Sequence, residues 1–100
     1  MNYKLLKDSV YMQINYNKIL ELYGIELFDD IKNNSDIVIN NINYLSSIGI
    51  IDISDVFERY PYIFLLDNDI FIKNVDELSK SLDNYIEELN NDTSLWERLL

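Results

Sequence analysis

Carboxylates are the one abundant reactive group in this chain, which holds neither histidine nor cysteine. Acid–base and nucleophilic catalysis therefore lose their commonest side chains, and disulfide and thiolate chemistry is excluded. Two adjacent pairs remain, Asp29-Asp30 and Glu87-Glu88. Neighbours on a helix diverge by about 100°, so each pair reads as solvated helix surface rather than a catalytic dyad. The segment DNDIFIKNVDEL starts like a calcium loop, with Asp67 and Asp69 at its first and third positions. It then places Phe71 at the fifth, Ile72 where the turn needs glycine, and Leu78 where a bidentate Glu is required. Asp67, Asn68 and Asp69 read instead as a turn with Asx bonds. The chain is expected to be non-enzymatic, with no catalytic, metal or cofactor residues.

The acids themselves are unevenly placed. Net charge is −10, of which −2 falls in residues 1–50 and −8 in residues 51–100. Binding a phosphate backbone needs clustered Lys and Arg, so direct nucleic-acid binding is not expected, whereas a basic protein partner fits. Asp76, Asp83 and Glu87, with Glu88 beside them, are expected to line one helix as a protein-interaction row. The bland reading of that row is a solvated face that keeps an Ile-rich chain soluble. The sharper reading is an acidic inhibitor or nucleic-acid mimic, phage-encoded for example, occupying the channel of a basic enzyme.

The elements that position these groups follow from apolar spacing. The chain has 15 Ile, 14 Leu and 13 Asn but no Ala, two Gly and one Pro. That usage tracks AT-rich codons and points to a low-GC bacterium, a phage or an AT-rich protist. One hundred residues suit one domain with a real core. MNYKLLKDSVYM lacks a signal-peptide run, and Tyr60 to Leu66 is far short of the roughly 20 residues of a membrane span, so a cytoplasmic protein is expected.

Met12, Tyr16, Ile19, Leu20 and Tyr23 share one face of a helix from Ser9 to Tyr23, stopped at Gly24. Leu27, Phe28 and Ile31 lie on a short second helix. Ser35 is placed to cap a third, whose Val38, Ile42, Leu45 and Ile48 run to Gly49. Asp52 caps a short helix carrying Ile53, Val56, Phe57 and Tyr60, and Pro61 ends it. YIFLL then reads as a buried 3₁₀ turn, where Phe64→Ala or Leu65→Ala costs about 2–5 kcal/mol. Asn74 and Glu77 have capping-box spacing for one long helix over residues 75–89, and Ser94 and Glu97 for a last one with Leu95, Trp96, Leu99 and Leu100. Of the eight tyrosines, Tyr16, Tyr23, Tyr44, Tyr60 and Tyr85 belong beside the core, whereas Tyr3, Tyr11 and Tyr62 are uncommitted.

LELYGIELFDDI and LSSIGIIDISDV recur at an offset of 25 residues, matching Leu20 to Leu45, Gly24 to Gly49, Ile25 to Ile50, Asp30 to Asp55 and Ile31 to Val56. The run Leu45, Ile48-Gly49-Ile50, Ile53, Val56-Phe57, Arg59-Tyr60-Pro61 and Phe64-Leu65 resembles the repeat of the mitochondrial transcription termination factor (mTERF) family. That resemblance implies two helices and a 3₁₀ turn per unit, in a solenoid whose other members bind nucleic acid along a basic groove. The resemblance is to packing residues, and the charge here is opposite, so it implies architecture rather than activity. Arg59 is expected to be structural, bonding Asp55 one turn earlier. The sequence thus predicts an all-α fold: a small right-handed-type helical array of helix–Gly–short helix–3₁₀ turn units, with units at 9–34 and 35–66 and C-terminal helices over 74–100. The expected function is a small acidic protein-interaction module.

Overall fold

The computed structural model describes residues 10, 11 and 13–100, and these form an all-α domain with no strand among them. Tyr3, Ser9 and Met12 lie outside the described residues. In chain order the helices are α1 (Tyr16–Tyr23), α2 (Ile25–Asn33), α3 (Ser35–Ile48), α4 (Ile53–Arg59), α5 (Asn68–Ser79) and α6 (Tyr85–Asn91). A first 3₁₀ helix, Pro61–Leu65, joins α4 to α5, and a second, Thr93–Leu99, follows α6. None of these helices is long and apolar enough to cross a membrane.

Most of these helices are too short to persist alone in water, so packing rather than propensity holds them. Their buried faces meet on a row of aromatic rings. Phe57 of α4 lies 4.8 Å from Phe64 of the first 3₁₀ helix, and Phe64 lies 5.6 Å from Phe71 of α5. Tyr44 of α3 meets Phe71 edge-on at 6.3 Å. Trp96 of the second 3₁₀ helix is fully buried, and its indole N–H has no partner. Around them Ile19, Ile31, Val38, Ile42, Leu45, Val75 and Leu89 are also buried.

Asn41 of α3 is the single fully buried polar side chain among the described residues. Its Nδ2 donates to the Phe64 carbonyl at 3.0 Å and to the Leu66 carbonyl at 2.8 Å. Its Oδ1 accepts from Asn68 Nδ2 at 3.0 Å. One amide thus ties α3 to the 3₁₀ helix and to the first residue of α5, satisfying carbonyls that the tight turn leaves without helical donors.

The punctuation around Gly49 and Pro61 is as the sequence implies. Gly49 has φ +102°, its N–H reaches Ser46 O at 3.3 Å, and Ile50 N–H reaches Leu45 O at 3.0 Å, a Schellman pattern. Asp52 accepts from Asp55 N–H at 3.2 Å, and Arg59 Nε reaches Asp55 Oδ1 at 3.1 Å. Pro61 opens the 3₁₀ helix, with Ile63 and Phe64 buried beneath it.

Elsewhere boundaries differ from expectation, mostly at asparagines. Val10, Tyr11 and Gln13 are helical, but the expected continuous helix to Tyr23 is interrupted at Ile14 and Asn15, where Asn15 Oδ1 accepts from Lys18 N–H at 3.1 Å and starts a new N-terminus. Ser35 does not cap α3; Asn34 precedes it, and its Nδ2 turns back to Asp30 O. Asn74 starts nothing, since α5 already begins at Asn68. Asp67 makes no side-chain cap bond, so the expected Asx turn is a helix start instead. The long helix over 75–89 breaks after Ser79, where Lys80, Ser81 and Leu82 donate three residues back and Ser81 Oγ bonds Leu78 O. Asp92, rather than Ser94, caps the final segment, which is 3₁₀. Leu20, expected on the apolar face of the first helix, is 39% exposed, and Leu100 is 68% exposed.

Phe64→Ala is expected to cost about 3–5 kcal/mol in urea unfolding, while half-buried Leu65→Ala costs about 1–2 kcal/mol. Asn41→Leu leaves two inner carbonyls unpaired and is expected to cost about 2–4 kcal/mol. A loss under about 0.5 kcal/mol for Asn41→Leu would contradict the junction described above.

Candidate functional site

The break after Ser79 decides the fate of the acidic row. Asp76 sits on α5, Asp83 in the turn, and Glu87 and Glu88 on the first turn of α6, so the four do not line one helix. Asn84 Nδ2 donates to Glu87 Oε2 at 2.9 Å, and the Asn84 backbone N–H donates to Glu88 Oε2 at 3.3 Å. Two of the four carboxylates thus serve the N-terminus of α6, where the helix dipole also favours them. Asp76 and Glu77 share Lys80, at 3.7 and 3.6 Å. Asp83 is exposed and unpaired.

Across the described residues, only Asp55, Glu58, Asp76 and Glu77 make ion pairs. The remaining carboxylates face solvent or local amides, and no group of three or more is placed to hold a metal ion among the described residues. Asp29 and Asp30 are exposed on α2.

Concave surface among the described residues includes two regions. Against the second 3₁₀ helix, an apolar slot of about 170 Å³ is lined by Tyr62, Ile63, Leu66, Leu99 and Leu100. It shares Leu99 and Leu100 with a more polar cleft of about 370 Å³ bordered by Asn74, Glu77, Ser81 and Arg98. Near the start of α1, Tyr11, Tyr16, Phe28 and Lys32 line a pocket of about 250 Å³. The Lys32 ammonium lies 5.2 Å from the Phe28 ring centre, a cation–π contact.

The tyrosines assigned to the core, Tyr16, Tyr23, Tyr44, Tyr60 and Tyr85, all pack against it, and Tyr62 is exposed. Tyr23 OH donates to the Glu58 carbonyl at 2.9 Å, fastening α1 to α4. Burial pushes the Tyr16 phenol well above the ordinary tyrosine value of 10.0, and neighbouring Tyr11 adds to the shift. Tyr23 and Tyr44 are raised for the same first reason.

Sequence reasoning missed the exposed apolar residues beside Gly24, namely Leu22 at 58% and Ile25 at 56%. The available signal was that residues 19–23 are apolar on more than one face. No protein-family model, curated protein or solved structure matches the chain.

A phenol whose pKa is raised by folding stabilises the native state fully below its unfolded value and loses that contribution as pH rises through the folded value. Thermal stability is therefore expected to fall above about pH 10, and Tyr16→Phe to flatten part of that fall. A Tyr16→Phe profile parallel to the parent between about pH 9 and pH 11.5 would contradict the assignment.

Proposed function

We propose that the chain is a non-enzymatic, acidic protein-interaction module of the cytoplasm, and that its partner presents basic side chains. The observation that carries this reading is the set of surface carboxylates left without ion-pair partners in a chain of net charge −10. Such a surface raises the encounter rate with a cationic protein and disfavours a phosphate backbone. The mTERF-like packing residues from Leu45 to Leu65 support the helical-array side of the reading and carry no activity with them.

A second reading, an acidic inhibitor or nucleic-acid mimic, draws on the −8 held by residues 51–100. It requires that the partner be a nucleic-acid enzyme and that nucleic acid compete for it.

Capture from a lysate of the source organism or its host, washed at low and high salt, separates these. A basic partner held at low salt and released at high salt is expected. Under the second reading, replacing Asp76, Asp83 and Glu87 together by Lys is expected to weaken capture by about tenfold or more. Capture unaffected by both salt and charge reversal would overturn the charge-led reading, and the absence of any partner at either salt would overturn the module.

A further inference from the structure

The two helix–glycine–helix elbows are covered differently. At Gly49, helix α6 lies across the elbow. Asn90 Nδ2 donates to the Gly49 carbonyl at 3.0 Å, and Asn90 Oδ1 accepts from Ile51 N–H at 2.9 Å. A methyl group placed on Gly49 would stand 3.4 Å from Ile86 Cγ2. Leu45 and Ile50, beside this elbow, are 0% and 5% exposed.

At Gly24, among the described residues, a methyl group would meet no atom within 4 Å. The sequence-matched residues Leu20 and Ile25 are 39% and 56% exposed, and Leu22 between them is 58% exposed. Three of the seven large apolar residues exposed among the described residues therefore cluster within six positions of chain. Glu21, Glu26, Asp29 and Asp30, in the same stretch of chain, are exposed, and none makes an ion pair. The nearby Lys18 is already engaged with Glu58 at 3.5 Å.

We infer that the Gly24 elbow is a docking surface for a basic amphipathic helix of a partner protein. The inference rests on the interaction-module reading above and names its surface. The chain's own α6 at Gly49 is the internal precedent for a helix as the covering element. Exposed Leu22 and Ile25, with four unpaired carboxylates in the same stretch of chain, select an occupant with Leu or Ile on one face and Lys or Arg flanking it. A second copy of this chain is a poor occupant, because it brings another −10 of charge to the same place. The two elbows differ in backbone, with ψ 174° at Gly24 and 17° at Gly49, so the partner is not required to repeat the Asn90 bonds.

The test uses synthetic helical peptides with a Leu face and a Lys face, titrated into the isotope-labelled full chain and followed by backbone amide shifts. Controls are a scrambled peptide of equal composition and a helix with Glu replacing Lys. The Leu/Lys helix is expected to shift residues 20–30 selectively and to bind at least about tenfold more tightly than either control. Leu22→Ser with Ile25→Ser, both surface changes, is expected to reduce that binding by about tenfold while circular dichroism stays unchanged. Shifts confined to the acids of residues 76–88 would overturn this docking surface and leave the module reading standing. Shifts absent with every peptide at low salt would overturn both. Self-association of the free chain through residues 20–30 would overturn the choice of occupant.

Discussion

A single buried amide holds the most constrained point of this fold. Asn41 has no solvent to fall back on, so its bonds to Phe64 O, Leu66 O and Asn68 are the only ones it can make. Those bonds set the height of the 3₁₀ helix against α3 and the point at which α5 begins. Phe64 is thereby placed between Phe57 and Phe71, and the aromatic row links α4, the 3₁₀ helix and α5. Apolar burial supplies most of the free energy, at about 1.5–3 kcal/mol for each large side chain. It is non-directional, however, and would tolerate other arrangements of the same rings. The amide selects one of them, because any slip leaves inner carbonyls unpaired at about 1–3 kcal/mol each.

What was legible in the sequence is what depends on local stereochemistry. Gly49 is needed where the chain enters φ +102°, Asp52 where a helix start needs an acceptor, and Pro61 where a helix must end. The apolar stripes of α2, α3 and α4 were legible for the same reason. The illegible boundaries lie at Asn15, Ser81 and Asn84. In a chain with 13 Asn, a capping asparagine looks like any other surface residue until its acceptor or donor is seen in use. Asn74 and Glu77 have the spacing of a capping box but lie inside α5, whose start at Asn68, three residues beyond Leu65, is held by the Asn41–Asn68 bond.

The candidate site was less legible than the fold. Composition identified the acidic surplus, and the surplus stays on the surface. Its arrangement required knowing that α5 ends at Ser79, which turns an expected row into one residue on α5, one in a turn and two bound to Asn84. Periodicity likewise shows that Leu20 and Leu45 are both on apolar stripes, but not which stripe has a neighbour. Leu45 is covered and Leu20 is not, because only the second elbow has α6 beside it. The two helix–glycine–helix segments share that order, but a 3₁₀ helix follows only the second, and they differ in what lies beside them.

Native-state hydrogen exchange tests the central claim, that α3, the first 3₁₀ helix and α5 are held as one cooperative unit by Asn41. The amides of Leu45, Leu66 and Phe71 report on the three elements, since Leu66 N–H bonds Ile63 O and Phe71 N–H bonds Asp67 O. All three are expected to exchange through global unfolding, with one common free energy and one common denaturant dependence. Exchange at Leu66 through a local opening several kcal/mol below that of Leu45 would contradict it.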